Sequence, residues 1–182
     1  MALDNILLVD LDNCVRCHAC EVACREEHGL AFVGGPRWCR IMTVGPRKAA
    51  DDRLHMDFVP VMCFHCNEPA CEALCPSGAI SKDEDGIVLV DENLCTGCQL
   101  CVYGCPYGVM VYNEAADTAG HCDRCAHRRS GGLEPSCVQH CIGGALQWVT
   151  PDELALITRG EHTLMLGRTC YVSSKWDLQD ES

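Results

Sequence analysis

The chain has 182 residues, 18 of them cysteine and only 5% aromatic, and it carries a formal charge of −12. That acidity excludes nucleic acid as a partner, because no surplus of lysine and arginine exists to neutralise phosphates. So little aromatic mass leaves a thin apolar core, and metal ligation is expected to supply much of the folding energy.

Cysteine at about a tenth of the chain reads, by composition alone, as a disulfide scaffold. The N-terminus argues otherwise: Met1–Leu11 carries Asp4 and Asp10, has no basic flank and holds only a short apolar run. A reducing, cytoplasmic setting is expected, where clustered cysteines mean metal or redox chemistry. No apolar stretch is long enough for direct membrane insertion.

In chain order, Ile6–Val9 reads as a strand leading into a first cysteine group, Cys14, Cys17, Cys20 and Cys24, with a helix over Ala19–Glu27. Gly29–Asp57 holds no group, is broken by Gly34, Gly35, Pro36, Gly45 and Pro46, and reads as a connecting segment. Group two follows, Cys63, Cys66, Cys71 and Cys75. Ala79–Lys82 and Ile87–Val90 then flank Asp83–Gly86 as a hairpin. Group three is Cys95, Cys98, Cys101 and Cys105, with a helix over Gln99–Tyr103 and a strand over Val109–Tyr112. Group four is Cys122, Cys125, Cys137 and Cys141, and a strand over Ala145–Val149 leaves it. Thr150-Pro151-Asp152-Glu153 is a helix start, with Thr as cap, Pro first and Glu three residues on, predicting a helix from Pro151 to about Thr158. Leu164–Val172 reads as a strand or hairpin broken at Gly167, before a polar tail.

Groups one and three share the spacing C-x2-C-x2-C-x3-C, and groups two and four lengthen its middle gap. That run is a ferredoxin ligand motif: three cysteines wrap one cubane, and the fourth serves the other cluster of a two-cluster fold. From Cys20 to Cys24 a helix climbs roughly 6 Å, carrying the second thiolate away from the first cubane. Motifs therefore come in pairs, and sixteen of the eighteen cysteines fall into an even number of them. Zinc is the bland alternative, but a zinc ribbon uses two separated pairs rather than four cysteines packed together. Pro76 and Pro106 complete the C-P ending of groups two and three, whereas Ile142 and Arg25 follow the last cysteines of groups four and one.

The stretches NCVRCHACEVACREEH, CFHCNEPACEALCPSGAI, GIVLVDENLCTGCQLCVYGCPYG and CDRCAHRRSGGLEPSCVQHC, in this order, resemble the four-cluster ferredoxin-like subunits of molybdenum and tungsten pterin oxidoreductases. Such subunits serve dimethyl sulfoxide, polysulfide and thiosulfate reductases, formate dehydrogenases and tungsten aldehyde oxidoreductases. The resemblance covers residue 5 to about 150 and implies four 4Fe-4S clusters. It pairs groups one and four, and groups two and three. The implied ligand sets are Cys14, Cys17, Cys20 with Cys141; Cys122, Cys125, Cys137 with Cys24; Cys63, Cys66, Cys71 with Cys105; and Cys95, Cys98, Cys101 with Cys75. The implied fold is α+β: two ferredoxin-like dicluster modules, the second inserted in the first. Residues 1–30 with 114–150 form the outer module and 56–113 the inner one; 31–55 connect them and 151–182 extend the C-terminus.

The resemblance also implies a wire between a large Mo/W-pterin catalytic subunit and a second redox subunit. That second partner is either a flavoprotein using NAD or a quinone-reactive membrane anchor; a free-standing polyferredoxin carrier is the alternative. No nucleophile–base constellation, GxGxxG or phosphate loop is present, so a non-catalytic role is expected. With about −2 on each oxidised cubane, the loaded chain reaches roughly −20 and favours a basic partner surface. Cys39 and Cys170 read as buried inert thiols, and His18, His65, His121, His127 and His140 as hydrogen-bonding groups near the ligands. Arg16, Arg25, Arg124, Arg128 and Arg129 lie near groups one and four, while acids crowd groups two and three. Higher cluster potentials are therefore expected in the outer module.

Overall fold

The computed structural model describes residues 5–48, 53–158 and 161–175; the polar tail expected from the sequence lies largely outside them. Strand β1 (Ile6–Asp10) opens the chain. A single 3-10 turn (Leu11–Asn13) follows, capped by the Asp10 carboxylate, which accepts from the Asp12 amide at 3.0 Å. Next come α1 (Ala19–Glu27), the hairpin strands β2 (Arg40–Lys48) and β3 (Leu54–Val61), and α2 (Ala70–Ala73). The short hairpin β4 (Ile80–Lys82) and β5 (Val88–Val90) leads to α3 (Leu100–Gly104) and then to β6 (Val111–Asn113) and β7 (Thr118–Gly120). Two short helices, α4 (Ala126–Ser130) and α5 (Ser136–Gln139), precede β8 (Leu146–Val149), α6 (Pro151–Ile157), β9 (His162–Leu166) and β10 (Thr169–Ser173). The class is α+β.

One four-stranded sheet, ordered β8-β1-β10-β9, organises the ends of the chain. β1 lies antiparallel to β8 and parallel to β10, which turns back on β9. Because β1 is central, both of its faces are covered, which is why it reads as an unbroken apolar run. Leu7 and Val9 face the main core, while Ile6 and Leu8 pack with Val149, Cys170 and Val172 beneath Leu154 of α6. The main core is unusual in content: Cys20, Cys24, Cys63, Cys122 and Cys137 sit in it beside Leu7, Val9, Met62 and Phe64. The middle of the chain has its own cluster, with Ile80, Val88, Met110 and Ala119 around Cys101. α1 packs on α5 and α2 on α3.

The sequence reading placed β1, α1, the β4–β5 hairpin and α6 well. The capping box of α6 forms as expected: Thr150 Oγ1 accepts from the Glu153 amide, and the Glu153 carboxylate accepts from the Thr150 amide at 2.8 Å. Two expectations need adjusting. The segment Gly29–Asp57, read as a connector, contains most of the longest strand pair among the described residues, β2–β3. Its Gly45-Pro46 step suggested a break but marks only a register shift between Val44 and Arg47. Further along, the strand expected over Val109–Tyr112 is displaced to Val111–Asn113, because its partner β7 lacks the apolar alternation by which strands are recognised. The C-terminal segment is a hairpin turning at Gly167, as one of its two readings had it.

Candidate metal centres

The four cysteine groups share one backbone device. The residue two positions after the first cysteine is left-handed in every group: Arg16 (φ 56°), His65 (51°), Gly97 (68°) and Arg124 (57°). Three of the four are not glycine, so the conformation is strained locally and persists because the surroundings demand it. Alternating right- and left-handed residues turn successive N–H groups inward, forming a nest for negative charge. Several amides reach sulfur directly: Leu146 N–H donates to Cys141 Sγ at 3.3 Å, His65 N–H to Cys63 Sγ at 3.5 Å, and Ala119 N–H to Cys95 Sγ at 3.5 Å.

These loops bring sixteen sulfurs into four sets, each drawing on two groups. Cys14, Cys17 and Cys20 line one cavity together with Cys141, which comes from group four. Cys63, Cys66 and Cys71 line another with Cys105. A third is lined by Cys95, Cys98 and Cys101 with Cys75. In the fourth set, burial and then the neighbouring sulfurs of Cys122, Cys137 and Cys125 push the Cys24 thiol far up. Each exchange is made by a helix or a tight turn: α1 carries both Cys20 and Cys24, which serve different sets one helical turn apart.

Several of the buried sulfurs resist ionisation. Burial, opposed by the His65 amide and the Arg124 charge, still pushes the Cys63 thiol up to about 11; burial likewise takes Cys71 to about 12 and Cys122 to about 11. Cys125 rises to about 12 for the same first reason, and Cys137 higher still. Four thiolates in one small cavity repel one another and stay protonated unless cations neutralise them. Iron does this, since a metal-bound thiol is deprotonated outright. All-sulfur donor sets and amides that donate to sulfur fit 4Fe-4S cubanes.

Other side chains near the ligands separate into distinct roles. Cys39 is buried, as expected, but its thiol is hydrogen-bonded to Cys20, which it holds below the usual thiol range. Cys170 is a buried thiol in β10 whose S–H points at Tyr171 O. His65 accepts the Val88 N–H on Nδ1 at 3.0 Å, which fixes its proton on Nε2, and burial pushes it well below its ordinary pKa. His121 Nδ1 lies 2.7 Å from Cys122 O, His140 Nδ1 2.8 Å from Ser136 O, and His18 Nδ1 3.2 Å from Glu21. His28, not singled out from sequence, lies 3.3 Å from Cys125 Sγ and packs against Trp38 with ring centroids 4.7 Å apart and planes tilted by 53°. Distance along the chain hid it, since nearly a hundred residues separate it from that cysteine.

The charge partition drawn from sequence is also revised. Arg129 reaches across to the middle hairpin, pairing with Asp85 at 3.0 Å and Asp83 at 3.3 Å. Arg124 is buried against Cys63. Two arginines assigned to the outer groups therefore serve the inner one too, and neighbours in sequence were a poor guide to neighbours in space.

Residues 54–150 match the family described as 4Fe-4S dicluster domain. One chain of the anaerobic dimethyl sulfoxide reductase of Escherichia coli (strain K12) is 37% identical over 150 residues, covering 80% of this chain and 73% of the relative. The thiosulfate reductase electron transfer subunit of Salmonella typhi is 36% identical over 149 residues, covering 81% and 77%. A tetrathionate reductase subunit of Salmonella typhimurium is 37% identical over 142 residues, covering 76% of this chain and 55% of the relative. The chain belongs to the 4Fe-4S dicluster family, among the iron–sulfur electron-transfer subunits of reductase complexes rather than their catalytic subunits.

Proposed function

We propose that the chain holds four 4Fe-4S clusters and relays electrons between a molybdenum- or tungsten-pterin catalytic subunit and a second redox subunit. The observation that carries this is the crossing of cysteines: each of the four sets takes three sulfurs from one group and one from its partner. The ligand sets we assign are those: Cys14, Cys17, Cys20, Cys141; Cys122, Cys125, Cys137, Cys24; Cys63, Cys66, Cys71, Cys105; Cys95, Cys98, Cys101, Cys75. The middle groups then form a dicluster module inserted within an outer one built from both ends.

When bound, each cubane supplies a one-electron couple. The chain's own groups do the rest. The cysteines hold the iron, inward amides stabilise the thiolates, and the apolar lining of Val109, Met110 and Leu146 keeps water from the sulfur. Helix α1 sets the first and second sites a single turn apart, which makes the hop within the outer module short. A small-molecule substrate is not handled on this chain, so the specificity of the complex lies in the catalytic partner.

The named relatives are all reductase subunits, which favours electrons flowing toward the catalytic partner. Among the described residues no helix is long and apolar enough to cross a membrane, so any quinone chemistry belongs to a separate anchor. A flavoprotein in its place is the other arrangement, with the complex in the cytoplasm. Anaerobic affinity purification tests the proposal: about sixteen iron and sixteen sulfide per chain, with a pterin-bearing large subunit co-purifying. Eight iron per chain sinks the four-cluster reading, and purification as a lone, fully loaded chain favours a free carrier.

A further inference from the structure

We propose that Arg124 is the fixed counter-charge for electron transfer between the two modules, a positioning residue set between the Cys122 and Cys63 sites. This rests on the ligand sets proposed above. Arg124 is 1% exposed and occupies the left-handed position of the group-four loop, two residues after Cys122. Its Nη2 donates to the carbonyl of Cys63, in group two, at 3.0 Å and to Thr169 Oγ1 of β10 at 2.5 Å. One side chain thus ties a ligand loop of the outer pair to a ligand loop of the inner pair.

The charge has no ordinary partner. Nε and Nη1 of Arg124 find no acceptor, and among the described residues no carboxylate pairs with it. A neighbouring buried arginine, Arg129, differs in being neutralised by Asp83 and Asp85. A guanidinium stays protonated throughout the accessible pH range, and burying it without an anion is strongly unfavourable. The anions that this junction offers are the thiolate-held centres on either side.

The consequence concerns one electron. As it passes between modules, one centre would be oxidised by one unit and the other reduced by one, with the guanidinium charge beside both. A fixed positive charge beside both sites would favour the reduced form of each and raise both potentials.

The test is an anaerobic redox titration of the full chain, in its complex where it co-purifies, followed by electron paramagnetic resonance, for wild type, Arg124→Gln, Arg124→Lys and Thr169→Val. Iron and sulfide are quantified in each. In Arg124→Gln the reduced-to-oxidised ratio at fixed ambient potential should fall at least tenfold, 59 mV for one electron, at two centres. It should fall less than threefold at the other two, with the same shift at pH 6 and pH 8. Arg124→Lys, which keeps the charge, should restore most of the loss. If Arg124→Gln loses iron, Thr169→Val decides, because it keeps the charge and removes one anchor: the same two potentials, and no others, should move at least twofold. Unmoved potentials, or an equal shift of all four, in variants that keep their iron overturn the proposal. A wild type with fewer than four clusters instead overturns the ligand sets on which it rests.

Discussion

Gly143 shows how tightly single residues are set around the sulfurs. It lies two residues after Cys141, and a Cβ there would stand 2.5 Å from the backbone oxygen of Asn13, the residue before Cys14. Two ligand loops from opposite ends of the chain touch at that point through bare backbone. Gly143→Ala should therefore cost about 1–3 kcal/mol and deplete the Cys14–Cys141 centre before the others; thermal unfolding and cluster-resolved spectroscopy read both. Loss spread evenly over all centres would contradict this. The grouping of the cysteines could be read from their spacing, because a cluster-binding loop constrains the steps between its sulfurs. The left-handed residue two places on could not, for only Gly97 among the four advertises it by residue type. Arg16, His65 and Arg124 are forced into that conformation by the loop, not by their own preference.

Among the elements, those with a local rule could be read and those made by partners could not. β1 announced itself as an apolar run, and α6 by its capping box. β7, Thr118–Gly120, has no strand signature and exists because β6 offers it hydrogen bonds. The C-terminal hairpin joined β1 in parallel through contacts far apart in the chain, with the Arg168 N–H donating to Phe64 O at 2.7 Å beside the second ligand loop. Helices too short to persist alone are tied by side chains. Glu27 on α1 accepts from His127 Nε2 at 2.8 Å and Arg128 Nη1 at 2.9 Å on α4. The His127 hydrogen bond, ahead of the Arg128 charge, holds the Glu27 carboxyl below its ordinary range. A lowered carboxyl pKa stabilises the folded chain above the ordinary glutamate value and stops doing so as pH falls through the folded one. Glu27→Gln should thus cost under about 1 kcal/mol at pH 7, and the difference from wild type should shrink as the pH falls below the ordinary glutamate range. Anaerobic denaturant titrations across that range check the sign; a deficit growing toward acid would refute it.

At the scale of the whole molecule, folding and metal loading are one process. Among the described residues three of the four sheets have only two strands, too small to stand alone in water, and the cysteine sulfurs occupy places that aliphatic side chains fill elsewhere. Stripping the iron with an oxidant and chelator should abolish the cooperative unfolding transition, followed by circular dichroism, and readdition of iron and sulfide should restore it. An apo-chain that unfolds as cooperatively as the loaded one would speak against metal as the main source of stability. In the arrangement we propose, nesting the middle groups inside the outer pair would turn sixteen sulfurs into a conducting path, and it rests on sulfurs exchanged between groups. Single cysteine-to-alanine variants, read by electron paramagnetic resonance after graded reduction, test that exchange most directly. Cys14→Ala and Cys141→Ala should remove the same signal, although 127 positions apart in the sequence, while Cys24→Ala should remove a different one, shared with Cys122→Ala. If Cys24→Ala instead removes the Cys14 signal and spares that of Cys122, the cysteines are not exchanged and the wire as drawn does not exist.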